Sequence, residues 1–214
     1  YRRWRRVLAP VFRQVSAVGA QNAAYAALFT ELGVAPDAVH VTGNLKFDAV
    51  RTEVDPRTLL ELRLACGFGP ETPVLIFGST RPGDEGLAAD CWRALSPEFP
   101  HWRLVVAPRH LQRVDEAVRA FGREACALRT ETLKPGRRAE TRVLVLDTLG
   151  ELGAFYGLAE VAVIGGSFFP GVDGHNPLEP AALGIATVYG PHMRNFPEAS
   201  EALLENAGAV QVSG

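Results

Sequence analysis

Methionine is almost missing from this chain: Met193 is the only one in 214 residues and the first residue is Tyr1, so a piece of a longer translation product is expected. Cysteine is scarce too. Cys66, Cys91 and Cys126 are an odd number at wide spacing with no CxxC, which excludes a disulfide framework and a zinc site and fits a reducing compartment. Long apolar runs are lacking: Val74–Phe77 and Val161–Ile164 fall far short of the roughly 20 residues of a membrane span, and no signal peptide is read within the chain. Neither sign of charge dominates, with 22 basic against 24 acidic side chains, so no nucleic-acid partner is expected. What remains, 47% hydrophobic and 21% charged residues, excludes disorder, collagen and a pure coiled coil.

From Pro73 onward, short β-branched runs alternate with amphipathic stretches, the pattern of βα units around a parallel sheet. The reading predicts strands at Val74–Phe77, Arg103–Val106, Arg142–Leu146, Glu160–Ile164, Ala186–Tyr189 and Ala209–Val212. Helices are predicted at about 84–95, 111–122, 149–157, 177–183 and 196–206. Such alternation implies an open, doubly wound α/β domain whose ligands sit in loops at the carboxyl ends of the strands. Residues 1–52 read as the last βα units of a preceding domain: a basic helix Tyr1–Val11, a strand Gln14–Val18, a helix Asn22–Leu32 and a strand Ala38–Thr42. Asp55-Pro56 then starts a new helix, because proline suits the first helical turn and aspartate the cap before it. The second domain is therefore placed at 53–214.

The loops hold the candidate chemistry. Gly78-Ser79-Thr80-Arg81-Pro82-Gly83-Asp84-Glu85 is either an anion-holding turn before a helix or a plain capped turn. Pro108-Arg109-His110 brings a permanent cation to the same sheet edge. Asp147-Thr148-Leu149-Gly150-Glu151-Leu152 opens a helix that could face a planar base, or is simply capped by Asp147 or Thr148. Gly165-Gly166-Ser167 leads to Gly174-His175-Asn176-Pro177-Leu178-Glu179-Pro180, with Asn176 fitting the cap and Pro177 the first helical position. Glu179 either folds back onto the Asn176 N–H as a capping box or accepts hydrogen bonds from a ribose diol; both readings stay open.

Other chemistries fail on spacing. There is no GxxxxGK[ST] and no GxGxxG after a strand. Ser167 lacks the second glycine of a GxSxG elbow, and His110, His175 and His192 sit on separate loops without metal-ligand spacing, so each is read as a surface or supporting histidine. No metal and no cofactor is expected.

Taken in order, Gly43-Asn44-Leu45-Lys46-Phe47-Asp48, Gly78-Ser79-Thr80, Pro108-Arg109-His110, Asp147–Leu152, Phe155–Ala159, Gly165-Gly166-Ser167, Gly174–Ala181 and Gly190-Pro191-His192-Met193-Arg194-Asn195-Phe196 resemble the lipid A-specific 3-deoxy-D-manno-octulosonic acid (Kdo) transferases. The resemblance runs from Tyr1 to Gly214. It implies a GT-B glycosyltransferase with two Rossmann-like halves: 1–52 would close the acceptor-binding half, and 53–214, itself truncated, would be the donor-binding half. It implies transfer of Kdo from CMP-Kdo to a lipid A precursor in lipopolysaccharide synthesis, at the cytoplasmic face of a bacterial inner membrane and without a metal. By the same resemblance Ser79, Thr80, Arg109, Gly150, Glu151, Gly166, Ser167, Asn176 and Glu179 would hold the donor. The catalytic base would be a glutamate before Tyr1, so the chain alone is expected to bind donor without transferring it.

This chain departs from the family pattern at two positions. Arg81 stands where the family often has histidine, and Leu149 where it often has methionine. The second change keeps apolar volume; the first adds a fixed charge that could bind an anion or face solvent. The arginines Arg2, Arg3, Arg5 and Arg6, with Trp4, Val7 and Leu8, could lie on anionic lipid at roughly 1 kcal/mol per basic residue, or form a solvated helix face. A GT-B nucleotide-sugar epimerase and a non-catalytic donor-binding module remain as alternatives.

Overall fold

The structure, a computed structural model, describes residues 4–44, 50–134 and 141–213. Arg2, Arg3, the side chains of Arg5 and Arg6, and Leu45–Asp48 of the Gly43–Asp48 motif lie outside the described residues. The chain divides into two compact units, Tyr1–Val50 and Arg51–Gly214.

The first unit is a helix followed by a βαβ turn of chain: α1 (Arg5–Phe12), β1 (Val18–Ala20), α2 (Ala23–Leu32) and β2 (Val39–Val41), with β1 and β2 parallel. Asn22 caps α2 by accepting from the Tyr25 N–H at 3.0 Å, and Gly33 ends it in the left-handed region at φ 115°. The first strand begins four residues later than the predicted Gln14. The reason is local: Gln14 N–H still bonds Val11 O and its side chain returns to Pro10 O, so these residues finish the helical end. Trp4, Val7 and Val11 are exposed along α1.

In the second unit the helices and strands, in chain order, are α3 (Pro56–Cys66), β3 (Val74–Thr80), α4 (Asp84–Leu95), β4 (Arg103–Pro108), α5 (Val114–Phe121), β5 (Cys126–Leu128), α6 (Arg129–Thr132), β6 (Val143–Val145), α7 (Leu152–Tyr156), β7 (Val161–Ile164), α8 (Leu178–Ala181), β8 (Ala186–Tyr189), α9 (Pro197–Glu205) and β9 (Ala209–Gln211). Asp55 and Pro56 open α3 as the sequence predicts, the Asp55 carboxylate accepting from Arg57 N–H at 3.0 Å. Strand β5 and the single turn α6 are not among the predicted elements. Three strand residues and one helical turn are too short to leave a period in the sequence.

All seven strands pair in parallel, in the order β5-β6-β4-β3-β7-β8-β9. The expected doubly wound α/β sheet is thus what forms. Alternation along each strand sorts its side chains between the two faces. Val74, Ile76, Val105, Leu144 and Leu146 pack with Cys66, Phe155 and Tyr156, while Leu75, Phe77, Leu104, Val106 and Val145 pack with Ala88, Trp92 and Ala117. From β3 the chain moves to β4 on one side, and after β6 it returns to β7 on the other. The strand order therefore reverses between β3 and β7, where doubly wound sheets open a crevice beyond their carboxyl ends.

Two features shape that end of β3. A Cβ on Gly78 would lie 2.0 Å from the Tyr156 hydroxyl, so only glycine fits beneath that ring. Ser79 then takes φ 56°, left-handed for a residue with a side chain, and the register with β4 shifts between Gly78 and Thr80. The strain is spent where the strand hands over to its loop.

Candidate functional site

The loops after β3, β4, β6 and β7 converge at the reversal point, and hydrogen bonds tie them together. Asp84, the first residue of α4, is buried; its Oδ2 accepts from Arg81 N–H at 2.8 Å and from Gly166 N–H at 2.6 Å. One carboxylate thus closes the first loop and fastens the fourth to it. Burial pushes the Asp84 carboxyl above its usual range, against the two N–H donors that pull it down. Glu85, also buried, accepts from the Thr80 hydroxyl at 3.0 Å and pairs with Arg113 at 2.8 Å. The amino end of α4 is therefore occupied by the chain's own carboxylates, and the capped turn is the form this segment takes.

Arg109 N–H bonds Thr80 O, which brings the second loop against the first. Arg81 Nη1 lies 2.6 Å from His110 Nε2. A guanidinium can only donate, so this imidazole nitrogen is the acceptor and His110 is neutral with its proton on Nδ1. The third loop is fixed from α6. Glu151 accepts from Arg129 Nε and Nη2, the shorter contact being 2.8 Å, and also from the Thr148 hydroxyl. Burial alone would raise the Glu151 carboxyl, but Arg129 and Thr148 hold it below its ordinary value. Asp147 caps a different element from the one expected: it accepts from Thr130 N–H at 2.8 Å, in α6, because β5 and α6 come alongside β6. Leu149 is 74% exposed and Gly150 follows at φ 83°, leaving an open apolar face at the rim.

In the fourth loop, Ser167 is fully buried, donating to Ile164 O at 2.6 Å and accepting from Gly190 N–H at 2.8 Å. Asn176 Oδ1 accepts from Leu178 N–H at 3.1 Å, so it does cap the short helix α8. The capping box does not form, however. Glu179 Oε1 accepts from the Asn176 side-chain amide at 3.3 Å rather than from its backbone, since the amide group stands between them. The Gly190–Phe196 segment braces this loop from behind: Asn195 bonds Val172 O and Gly174 O, and the Met193 sulfur fills the space a side chain on Gly174 would need.

The candidate residues thus divide by what remains open. Ser79, Arg109, Gly150, Asn176 and Glu179 are exposed or half-buried at the crest. The hydroxyls of Thr80 and Ser167 and the carboxylate of Glu151 are engaged inside the protein, and the Gly166 N–H is bound to Asp84. Sequence reasoning missed Asp84 and Arg129, the two residues that fix the loops. Only a buried partner makes such a charge matter, and burial is invisible in a single sequence. A cavity of about 170 Å³ opens among Arg81, Asp84, Gly166, Phe169 and Val172. A larger cleft of about 420 Å³, bordered by Trp92, Phe121 and Arg142, lies towards the start of β6, away from all of these motifs. Among the described residues there is no group of three or more metal-ligating side chains.

Residues 1–49 match the family model described as 3-deoxy-D-manno-octulosonic-acid transferase (kdotransferase). The chain is 29% identical over 206 residues to the 3-deoxy-D-manno-octulosonic acid transferase of Haemophilus influenzae, covering 96% of this chain and 48% of that protein. It is 33% identical over 183 residues to the enzyme of the same name from Bordetella pertussis, covering 82% and 41%. It spans about half the length, or less, of these relatives. Among solved structures, the C-terminal CMP-Kdo binding domain of WaaA from Acinetobacter baumannii superposes with a TM-score of 0.64 at 26% identity, over 73% of this chain and 80% of that domain. A UDP-N-acetylglucosamine 2-epimerase shares the fold alone, with a TM-score of 0.52 at 18% identity over 87% of this chain and 43% of that one.

Proposed function

The chain belongs to the Kdo transferase family of GT-B glycosyltransferases, and from that premise we propose that Arg51–Gly214 binds CMP-Kdo and that the protein transfers Kdo to a lipid A precursor in lipopolysaccharide synthesis. The observation that carries this reading is the crest itself. Arg81, Arg109 and His110 gather at the reversal point of a sheet that superposes on a CMP-Kdo binding domain.

Cleavage of the bond from Kdo to CMP develops negative charge on the leaving phosphate, and cations fixed before the reaction stabilise that charge without reorganising. Arg109 is the open cation for this role. Glu179, turned by Asn176, is the acceptor for the ribose hydroxyls, and Leu149 with Gly150 offers an apolar rim to the base. The acceptor hydroxyl attacks from the other side of the donor, its proton taken by a base that is not among these residues. A lipid acceptor places the work at the cytoplasmic face of the inner membrane. No described helix is long and apolar enough to cross a membrane.

Calorimetric titration with CMP, UMP and UDP tests the donor assignment. CMP is expected to bind more tightly than either uridine nucleotide. Equal or tighter binding of UDP would overturn the Kdo reading and favour an enzyme of UDP-sugars, such as an epimerase.

A second expected result isolates Glu179. Glu179→Gln keeps an acceptor for the Asn176 amide, so the melting temperature should stay put. CMP affinity should fall by about 1–3 kcal/mol, because charge-assisted hydrogen bonds to the ribose are lost. A drop in melting temperature with unchanged CMP affinity would show that Glu179 only supports the loop.

A further inference from the structure

Three side-chain N or O atoms among the described residues are buried without a hydrogen-bond partner: Arg81 Nε, Asp84 Oδ1 and His175 Nε2. All three residues meet at one glycine. A Cβ on Gly166 would lie 3.2 Å from His175 Cδ2 and 3.3 Å from Arg81 Cγ, and the Gly166 N–H is the one bound by Asp84. Buried polar groups in native structures are nearly always satisfied, so three orphans around one residue mark a place built for something that supplies the missing partners.

The local charge says what that something is. Arg113 and Arg129 are matched by Glu85 and Glu151, whereas neither Arg81 nor Arg109 makes an ion pair among the described residues. His175 is approached by Arg81 from the loop after β3 and by Arg109 and His110 from the loop after β4. Asp84 reaches Gly166 from α4 with one oxygen committed to N–H donors. On its own loop the flanking carboxylates are Asp173 and Glu179, the latter holding the Asn176 amide, and the segment after β8 presents the His192 carbonyl against Gly174.

We propose that Arg81, Arg109, His110 and His175 form a subsite for a small oxyanion, a phosphate monoester or a sugar carboxylate, and that His175 takes up a proton as the anion enters. The proposal rests on the donor reading only for which anion is met in the cell. In the free protein, burial and then Arg109, Arg81 and His110 hold the His175 imidazole neutral, down to about 4. An entering anion cancels that repulsion and gives the Nε2–H of a charged imidazolium an acceptor. The sign follows from linkage. Binding raises the His175 value, so in the window between the free and bound values a proton is absorbed and affinity rises as pH falls. The position where relatives often carry histidine is here Arg81, whose contact with His110 makes the cluster's charge permanent on that side and leaves His175 as its titrating member.

The test is NMR of the protein labelled in its five histidine rings, with the His175 signal assigned by its loss in His175→Gln or, should that variant not fold, by backbone-linked assignment. Titrations from about pH 7.5 to about pH 4 are run free and with sulfate, CMP or free Kdo, sulfate being chosen because it does not itself titrate there. The free imidazole should titrate near 4 and move up by about one unit or more with saturating sulfate, which is a tenfold preference of the anion for the protonated form. Arg81→Gln should raise the free value and weaken sulfate. A shift with CMP but not Kdo identifies the phosphate as the natural occupant, and the reverse identifies the carboxylate. Free titration near the ordinary histidine value of 6.5, or no response to any of the three while CMP is bound, would overturn the proposal. A response to sulfate with no CMP binding leaves the subsite standing and removes the donor reading instead.

Discussion

Replacing Asp84 with alanine is expected to cost the second unit about 4 kcal/mol of stability, because two backbone donors, Gly166 N–H and Arg81 N–H, lose their acceptor together at about 1–3 kcal/mol each. Asp84→Asn should behave differently. It keeps an acceptor for both donors and removes a carboxylate that burial disfavours. The sign can be read from pH. A carboxyl whose folded value is raised adds stability that is complete below its unfolded value and is lost as pH rises through the folded one. The wild type should therefore match Asp84→Asn at low pH and fall behind it as pH rises through the raised value. Denaturant unfolding of the three proteins across pH checks both statements. An alanine variant as stable as the wild type would mean that the two loops are not held by this carboxylate.

Arg129→Ala is expected to cost about 3 kcal/mol, the range for removing one member of a buried ion pair. The Arg129 side chain is 5% exposed and Glu151 28%, so the orphaned carboxylate retains some water and the cost stays at the lower end of that range. Arg129 also donates to Thr132 at 2.9 Å and lies 5.8 Å from the centre of the Phe155 ring, contacts that go with it. For a domain of this size the melting temperature should drop by roughly 6–12 °C. In the wild type the depressed Glu151 contributes stability above its ordinary value of 4.5 that disappears as pH falls through the folded one. The variant should lose that acid dependence, and melting curves from neutral to acid pH will show it. A double variant, Arg129→Met with Glu151→Leu, should recover much of the loss, since an apolar pair of similar volume leaves no stranded charge.

The sheet was legible because its signal is repetitive: fully apolar runs such as Val74–Phe77 and Val161–Ile164, separated by helical stretches and bounded by Pro73, Gly78 and Gly165, leave few alternatives. Capping chemistry was legible for the same local reason at Asp55-Pro56 and, in part, at Asn176-Pro177. What a single sequence could not reveal was which polar groups face inward. Thr80, Ser167 and Glu151 carry the right chemistry in the right loops, yet their side chains are spent on Glu85, on Ile164 and Gly190, and on Arg129. Asp84 read as an ordinary first-turn acid, and His175 as one more loop histidine. Their weight comes from contacts across long stretches of chain, 82 positions in the case of Asp84 and Gly166, and no local pattern encodes that separation.

The Tyr156 ring stands in the space that a side chain at Gly78 would need. Positions 78 and 156 therefore share a single volume, and evolution can redistribute it between them but cannot enlarge either alone. Related sequences that carry alanine or serine at the first should carry a smaller or displaced aromatic at the second, so the two columns of a family should drift together. Tyr156 closes α7, whose other end follows Leu149 and Gly150, so such an exchange would be felt at the rim of the crest. A substitution beneath the sheet's edge is in this sense a route by which nucleotide preference can diverge without any change in the residues that touch the nucleotide.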